Sequence, residues 1–165
     1  MHRVVATALL VVTSVAQIHA TDLPSERQAD IHARAASVMP FSVGDTLHVF
    51  EKTATGGVQT VTARTGHDDQ VPMIRHHLRQ ISESFSARDF TQPAKLHGDQ
   101  MPGLDDLRHA GADELTVAYR EIEGGAEVVY SAYTPATRDA LHRWFDAQLA
   151  DHGQDSASQM HPAHQ

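Results

Sequence analysis

Thr46-Leu47-His48-Val49-Phe50-Glu51 is followed by Thr53-Ala54-Thr55-Gly56-Gly57 and then by Val58-Gln59-Thr60-Val61-Thr62-Ala63. Two runs rich in β-branched and aromatic residues thus flank a segment that ends in paired glycines. Glycine supplies the positive φ that tight turns need, so the stretch reads as a β-hairpin. Side chains alternate between the faces of a strand, which places Leu47 and Val49 together on the buried face and His48 on the other.

Downstream, Gly66-His67-Asp68-Asp69-Gln70 opens a helix whose acidic first turn suits the helix dipole. Val71, Ile74, Leu78, Ile81 and Phe85 recur at spacings of three and four, the signature of one apolar stripe facing a sheet. His77 lies at the edge of that stripe and His76 well away from it.

A second set of similar segments follows. Asp105 to Ala110 reads as a short helical turn ended by Gly111. Glu114 to Glu121 and Ala126 to Tyr133 are strand-like and joined at Gly124-Gly125. If those glycines form a two-residue turn, Tyr119 faces Tyr130 and Val117 faces Ala132. Thr134-Pro135 starts a last helix, with proline in its first turn and Gly153 at its end. Leu141, Phe145, Leu149 and His152 share one face of it, with His142 and Trp144 at the edges. Aligning Gly56-Gly57 with Gly124-Gly125 places Leu47 over Leu115 and Val49 over Val117. The expected fold is therefore α+β: two ββα units forming a four-stranded antiparallel sheet with two helices on one face.

Between the two sets lies Lys95-Leu96-His97-Gly98-Asp99-Gln100-Met101-Pro102-Gly103-Leu104, read first as a linker. At the N-terminus, Met1-His2-Arg3 precedes an apolar run from Val4 to Val15 and then Gln17-Ile18-His19-Ala20. A basic start, a short apolar core and a small residue before a polar segment read as a signal peptide over residues 1–20, cleaved after Ala20. The run is shorter than the roughly 20 residues that span a bilayer, and no later segment reads as a transmembrane anchor. The chain is therefore expected in the periplasm. Residues 21–38 read as an N-terminal arm or marginal helix ending at Met39-Pro40, since the residue before proline disfavours helix. Residues 39–153 read as a single domain, and residues 154–165 as a disordered tail carrying Met160, His161 and His164.

The 165-residue chain has 13 Lys plus Arg, 21 Asp plus Glu and 13 His. Cleavage would remove Arg3, His2 and His19, leaving a formal charge of −9 against −8 for the whole chain. Such an acidic balance argues against nucleic acid as a partner. There is no cysteine, which excludes disulfides, thiolate metal sites, iron–sulfur clusters and covalently attached c-type haem. The high histidine content should make surface charge respond strongly near pH 6.5.

Imidazole together with thioether is a ligand set that suits copper, especially Cu(I), better than zinc or magnesium. His97 and Met101 in the middle connection are accordingly candidate metal ligands, against the ordinary reading of a loop histidine and a core methionine. His142 and Asp146 stand four apart on the last helix, as ligand and orienting carboxylate or as a plain surface pair. His152 points inward and completes the candidate set. The first expectation is thus binding of a transition metal, copper before zinc, for buffering, delivery or sensing. The alternative is a non-enzymatic module that docks another envelope protein on an open sheet face or edge, which exposure of Phe50 would favour. Enzyme signatures such as G-x-S-x-G, a Walker loop or H-E-x-x-H do not occur.

Met39-Pro40-Phe41, Thr46 to Phe50, Gly56 to Gln59, His97, Met101 to Leu104, Trp144 to Leu149 and Asp151-His152-Gly153 together resemble a family of small exported bacterial proteins of uncharacterised role. The resemblance spans roughly residues 39 to 153. Members often carry the label aspartate carbamoyltransferase. True transcarbamoylases are longer, two-domain α/β enzymes with an S-T-R-T-R phosphate-binding motif, which this chain lacks. The resemblance implies an envelope location and supplies no catalytic residues.

Overall fold

A computed structural model describes residues 26–158, and the signal segment and the end of the tail lie outside the described residues. The elements run α1 (Glu26–Val38), β1 (Thr46–Thr53), β2 (Gly56–Ala63), α2 (Val71–Ser86), α3 (Thr91–His97), α4 (Leu104–His109), β3 (Leu115–Ile122), β4 (Gly125–Ala132), α5 (Pro135–His152) and β5 (Ser156–Ala157), with single 3₁₀ turns before α2 and after α5.

The sheet corrects the expected four-stranded antiparallel arrangement of two ββα units. It has five strands in the order β3-β4-β2-β1-β5. The two hairpins join antiparallel through β2 and β4, Val61 opposite Ala126, whereas β5 adds parallel to β1 with His48 opposite Ser156. The sheet is therefore mixed, and among the described residues five α-helices accompany it. Two physical facts account for the difference. A two-residue strand is too short to show any alternation, and Thr91–His97, whose end was read as the start of a linker, folds as α3. The short strand also lies within the stretch read as a tail, which stays on the domain through Ala157.

The two halves are not equivalent in facing. Phe50 of β1 packs its ring 5.4 Å from Phe145 of α5, so His48 and Phe50 turn toward the helices. On β3 it is Leu115, Val117 and Tyr119 that meet the core. The glycine alignment put Leu47 over Leu115, and a one-residue slip exchanges the faces of a strand. The second hairpin also pairs differently from expectation. Its turn is Glu123-Gly124, with Gly124 at φ 70°, and Gly125 already belongs to β4. Tyr119 consequently faces Val128, and Val117 faces Tyr130.

α2 buries Ile74, Leu78, Ile81 and Phe85, the stripe that its spacing predicts. α5 begins with Thr134, whose hydroxyl accepts from the Thr137 backbone N–H, followed by Pro135. The two helices meet over the sheet through aromatic rings: Phe85 to Trp144 at 5.7 Å, Tyr130 to Trp144 at 6.0 Å and Phe85 to Phe90 at 4.3 Å. Offset and edge-on contacts of this kind add about 0.5–1.5 kcal/mol each beyond area burial. Arg88, at φ 61°, spends its guanidinium on the carbonyls of Ala110, Gly111 and Leu115 and so ties the end of α2 to the start of β3.

α1 attaches to this body through a small separate cluster of Ile31, Ala35, Val43 and Leu96. Among the described residues, no helix is long and apolar enough to cross a membrane.

Candidate functional site

α5 carries Trp144, Gln148 and His152 at intervals of four, so they form one stripe along the helix. All three are buried, and all three line a pocket between α5, the sheet and the shorter helices. β1 adds His48, β2 adds Gln59, α2 adds His77 and α3 adds His97, while Val38 and Met39 close the end nearest α1. The space between atoms is about 430 Å³ counted out to the mouth. The pocket is narrow. Among the described residues, no Asp, Glu, Lys or Arg lines it.

The imidazoles sit close together. His48 and His152 have ring centroids 4.8 Å apart and nearly parallel, and His97 meets His152 edge-on at 5.3 Å. Phe41 separates His48 from His77, at 5.9 and 5.5 Å. Burial disfavours the charged form of each ring. His48 is pushed down to about 3 by burial, with smaller contributions from His77, His97 and Arg64. His77 is pushed down to about 4, chiefly by burial. His152 lies well below the usual imidazole range because of burial and the neighbouring His48 and His97.

His97 is also lowered, burial outweighing the opposing pull of Asp151. Its Nδ1 lies 2.8 Å from Asp151 Oδ2, both groups being almost fully buried. Arg27 grips the same carboxylate with Nε and, at 2.8 Å, with an Nη, and also donates to the His97 carbonyl at 3.1 Å. A carboxylate accepts, so Nδ1 of His97 carries the hydrogen and Nε2 keeps the lone pair.

Two buried polar atoms on the pocket-lining stripe have no protein partner: Trp144 Nε1 and His152 Nδ1. Buried donors and acceptors are paired in the great majority of cases, because leaving one unmade costs about 1–3 kcal/mol. Both atoms belong to residues that line one pocket, and both lie behind its surface, closed off from water.

Of the residues singled out by sequence, the fold brings His97 and His152 together and disperses the rest. Met101 is 5% exposed within the main core and borders a separate surface groove beside Arg27 and Gly98. His142 bonds the Gly56 carbonyl through Nε2 at 2.8 Å, pinning α5 to the first hairpin. Asp146 forms an ion pair with Lys52 at the surface. His48, His77, Gln148, Asp151 and Arg27 were missed. The spacing of Trp144, Gln148 and His152 was a usable signal, whereas His48 was assigned to the wrong face.

Among the described residues, no group of three or more His, Asp or Glu side chains is arranged to hold a metal ion. Phe50, whose exposure would have marked a docking surface, is 1% exposed. In comparisons with known proteins, no family model matches the chain, and no curated protein or solved structure does so either.

Proposed function

We propose that the chain is an exported periplasmic binding protein whose ligand occupies the histidine-lined pocket. The observation that carries this reading is the convergence of His48, Gln59, His77, His97, Gln148 and His152 from β1, β2, α2, α3 and α5 on one narrow space. Pockets that orient a ligand combine apolar walls with a few convergent polar groups, and the walls here are Phe50, Ile81, Phe85 and Leu96. The signal-like segment before Thr21 supports export.

A second reading keeps a transition metal ion as the ligand, copper before zinc, for buffering, delivery or sensing. It is favoured by the orientation of His97. A ligating histidine commonly donates its other N–H to a carboxylate, and Asp151 occupies that position. His152 Nδ1, unpartnered beside it, would be the nearest additional donor.

Thermal unfolding followed by Trp144 fluorescence tests both readings, since Trp144 is the one tryptophan in the chain. A ligand that binds the folded state at a hundred times its Kd adds about 2.7 kcal/mol, enough to raise Tm by several degrees. The screen consists of small metabolites, Cu(I) and Zn(II). A rise that disappears in Gln148→Leu and in His152→Leu supports the pocket, and the compound producing it distinguishes the readings. No rise with any compound, or a rise equal in wild type and both variants, contradicts them.

A further inference from the structure

The hydrogen-bonding roles inside the pocket select a ligand by charge as well as by size. Asp151 fixes the tautomer of His97, which leaves Nε2 as an acceptor. Trp144 Nε1 is an indole N–H and can only donate. His152 Nδ1 lies on a ring 5.3 Å from that of His97 and has no protein partner. Gln148, one helical turn from both Trp144 and His152, can donate and accept through its amide.

Formal charge is absent from the lining. A buried carboxylate, Asp151, stands behind His97 and is already matched by Arg27. An ion entering from water would meet no fixed charge in the lining itself, and burying an unpaired ion is far more costly than burying a neutral polar group whose hydrogen bonds are met. The narrow space excludes large ligands.

We propose that the pocket takes a compact, uncharged molecule bearing both a hydrogen-bond donor and an acceptor, a primary amide being the simplest member, with its donor on His97 Nε2 and its acceptor on the Gln148 amide N–H. This inference rests on the pocket being the functional site. It narrows that reading to a class of ligand.

Acetamide, acetate and acetamidinium have nearly the same shape and differ in charge, so they isolate the electrostatic part of the selection. The experiment follows the single Trp144 indole N–H cross-peak of the full chain at pH 7.5 while each compound is titrated separately. A ligand this small should bind with a Kd on the order of millimolar. Acetamide is expected to move the peak saturably, and acetate and acetamidinium to leave it in place. The acetamide Kd should rise at least about tenfold in His97→Phe, and likewise in Gln148→Leu, which guards against one variant failing to fold. Saturation by acetate or acetamidinium at equal or lower concentration overturns the proposed class while leaving the pocket as a binding site. If acetamide does not move the peak, the proposal fails, whereas a pocket-dependent hit in the thermal screen would still uphold the wider reading.

Discussion

His97 donates its Nδ1–H to Asp151 Oδ2 at 2.8 Å, joining α3 to the last turn of α5 across 54 positions of sequence. Asp151 is in turn held by Arg27 from α1, so three helices converge on one carboxylate. Asp151→Asn removes the charge that both partners use. It should cost about 1–3 kcal/mol, the usual penalty for leaving buried polar groups poorly paired. Arg27→Ala should cost less, because Arg27 is 56% exposed and water can replace its contribution. Urea unfolding read by Trp144 fluorescence measures both, and an Asp151→Asn midpoint equal to wild type would contradict the linkage.

Acid should destabilise the fold through its buried imidazoles. His48 titrates at about 3 in the folded chain and His77 at about 4, against roughly 6.5 once unfolded. Below pH 6.5 the unfolded chain therefore binds protons that the folded chain refuses. Stability is fully present above pH 6.5 and is lost as pH falls toward 4 and then 3, at up to roughly 1.4 kcal/mol per pH unit for the fully buried His48. Urea midpoints taken from pH 8 to pH 4 should fall, and the slope should be shallower in His48→Gln. A slope unchanged by that substitution would show that His48 is not the source.

Close packing leaves no room for a side chain at several glycines, Gly57 and Gly125 among them. A Cβ on Gly125 would lie 2.0 Å from the Val61 carbonyl oxygen, and one on Gly57 would lie 2.5 Å from the Phe145 ring. Gly125→Ala must push β4 away from β2 and should sharply reduce the folded yield. Gly57→Ala displaces a movable ring and should cost about 1–3 kcal/mol, the range for overpacking. Gly44→Ala, with nothing within 4 Å of its Cβ, is the control and should stay within about 1 kcal/mol of wild type. Circular dichroism and urea unfolding of the three variants check the ranking.

Met101 sits in the core among apolar neighbours and does not line the pocket. Met101→Leu should therefore cost less than about 1.5 kcal/mol. It should also leave any copper retention unchanged, whereas His152→Ala should abolish retention if a metal is bound. Loss of copper on Met101→Leu alone would restore the thioether as a ligand.

The parts of the fold that were legible in sequence are those with a local period. The stripe Ile74-Leu78-Ile81-Phe85 announces α2, and Leu141 with Phe145 announces α5. The order of strands was not legible, because pairing β2 with β4 depends on contacts between distant segments. Nor was β5, which is two residues long. The facing of β1 was misread because a buried histidine looks polar: His48 shares its face with Phe50, and polarity alone assigns it to solvent. The site was legible only in part for the same reason. His97 and His152 stood out as histidines, but Asp151, Arg27 and His48 acquire their roles only when α1, α3, α5 and β1 are brought together. A histidine count also overstates the charge response near pH 6.5, since burial keeps His48, His77, His97 and His152 neutral below that range.

Native mass spectrometry of the protein recovered from periplasmic extract, without a denaturing or chelating step, tests most directly whether the pocket holds a ligand. Wild type is expected to carry one added mass beyond the bare chain, and Gln148→Leu and His152→Phe, which fill or alter the same wall, are expected to carry none. The added mass should be that of a neutral donor–acceptor molecule held much more tightly than acetamide under the further inference, or of copper or zinc under the metal reading. A bare chain in wild type and variants alike, or an added mass retained equally by all three, would contradict the assignment of the histidine-lined pocket as the functional site.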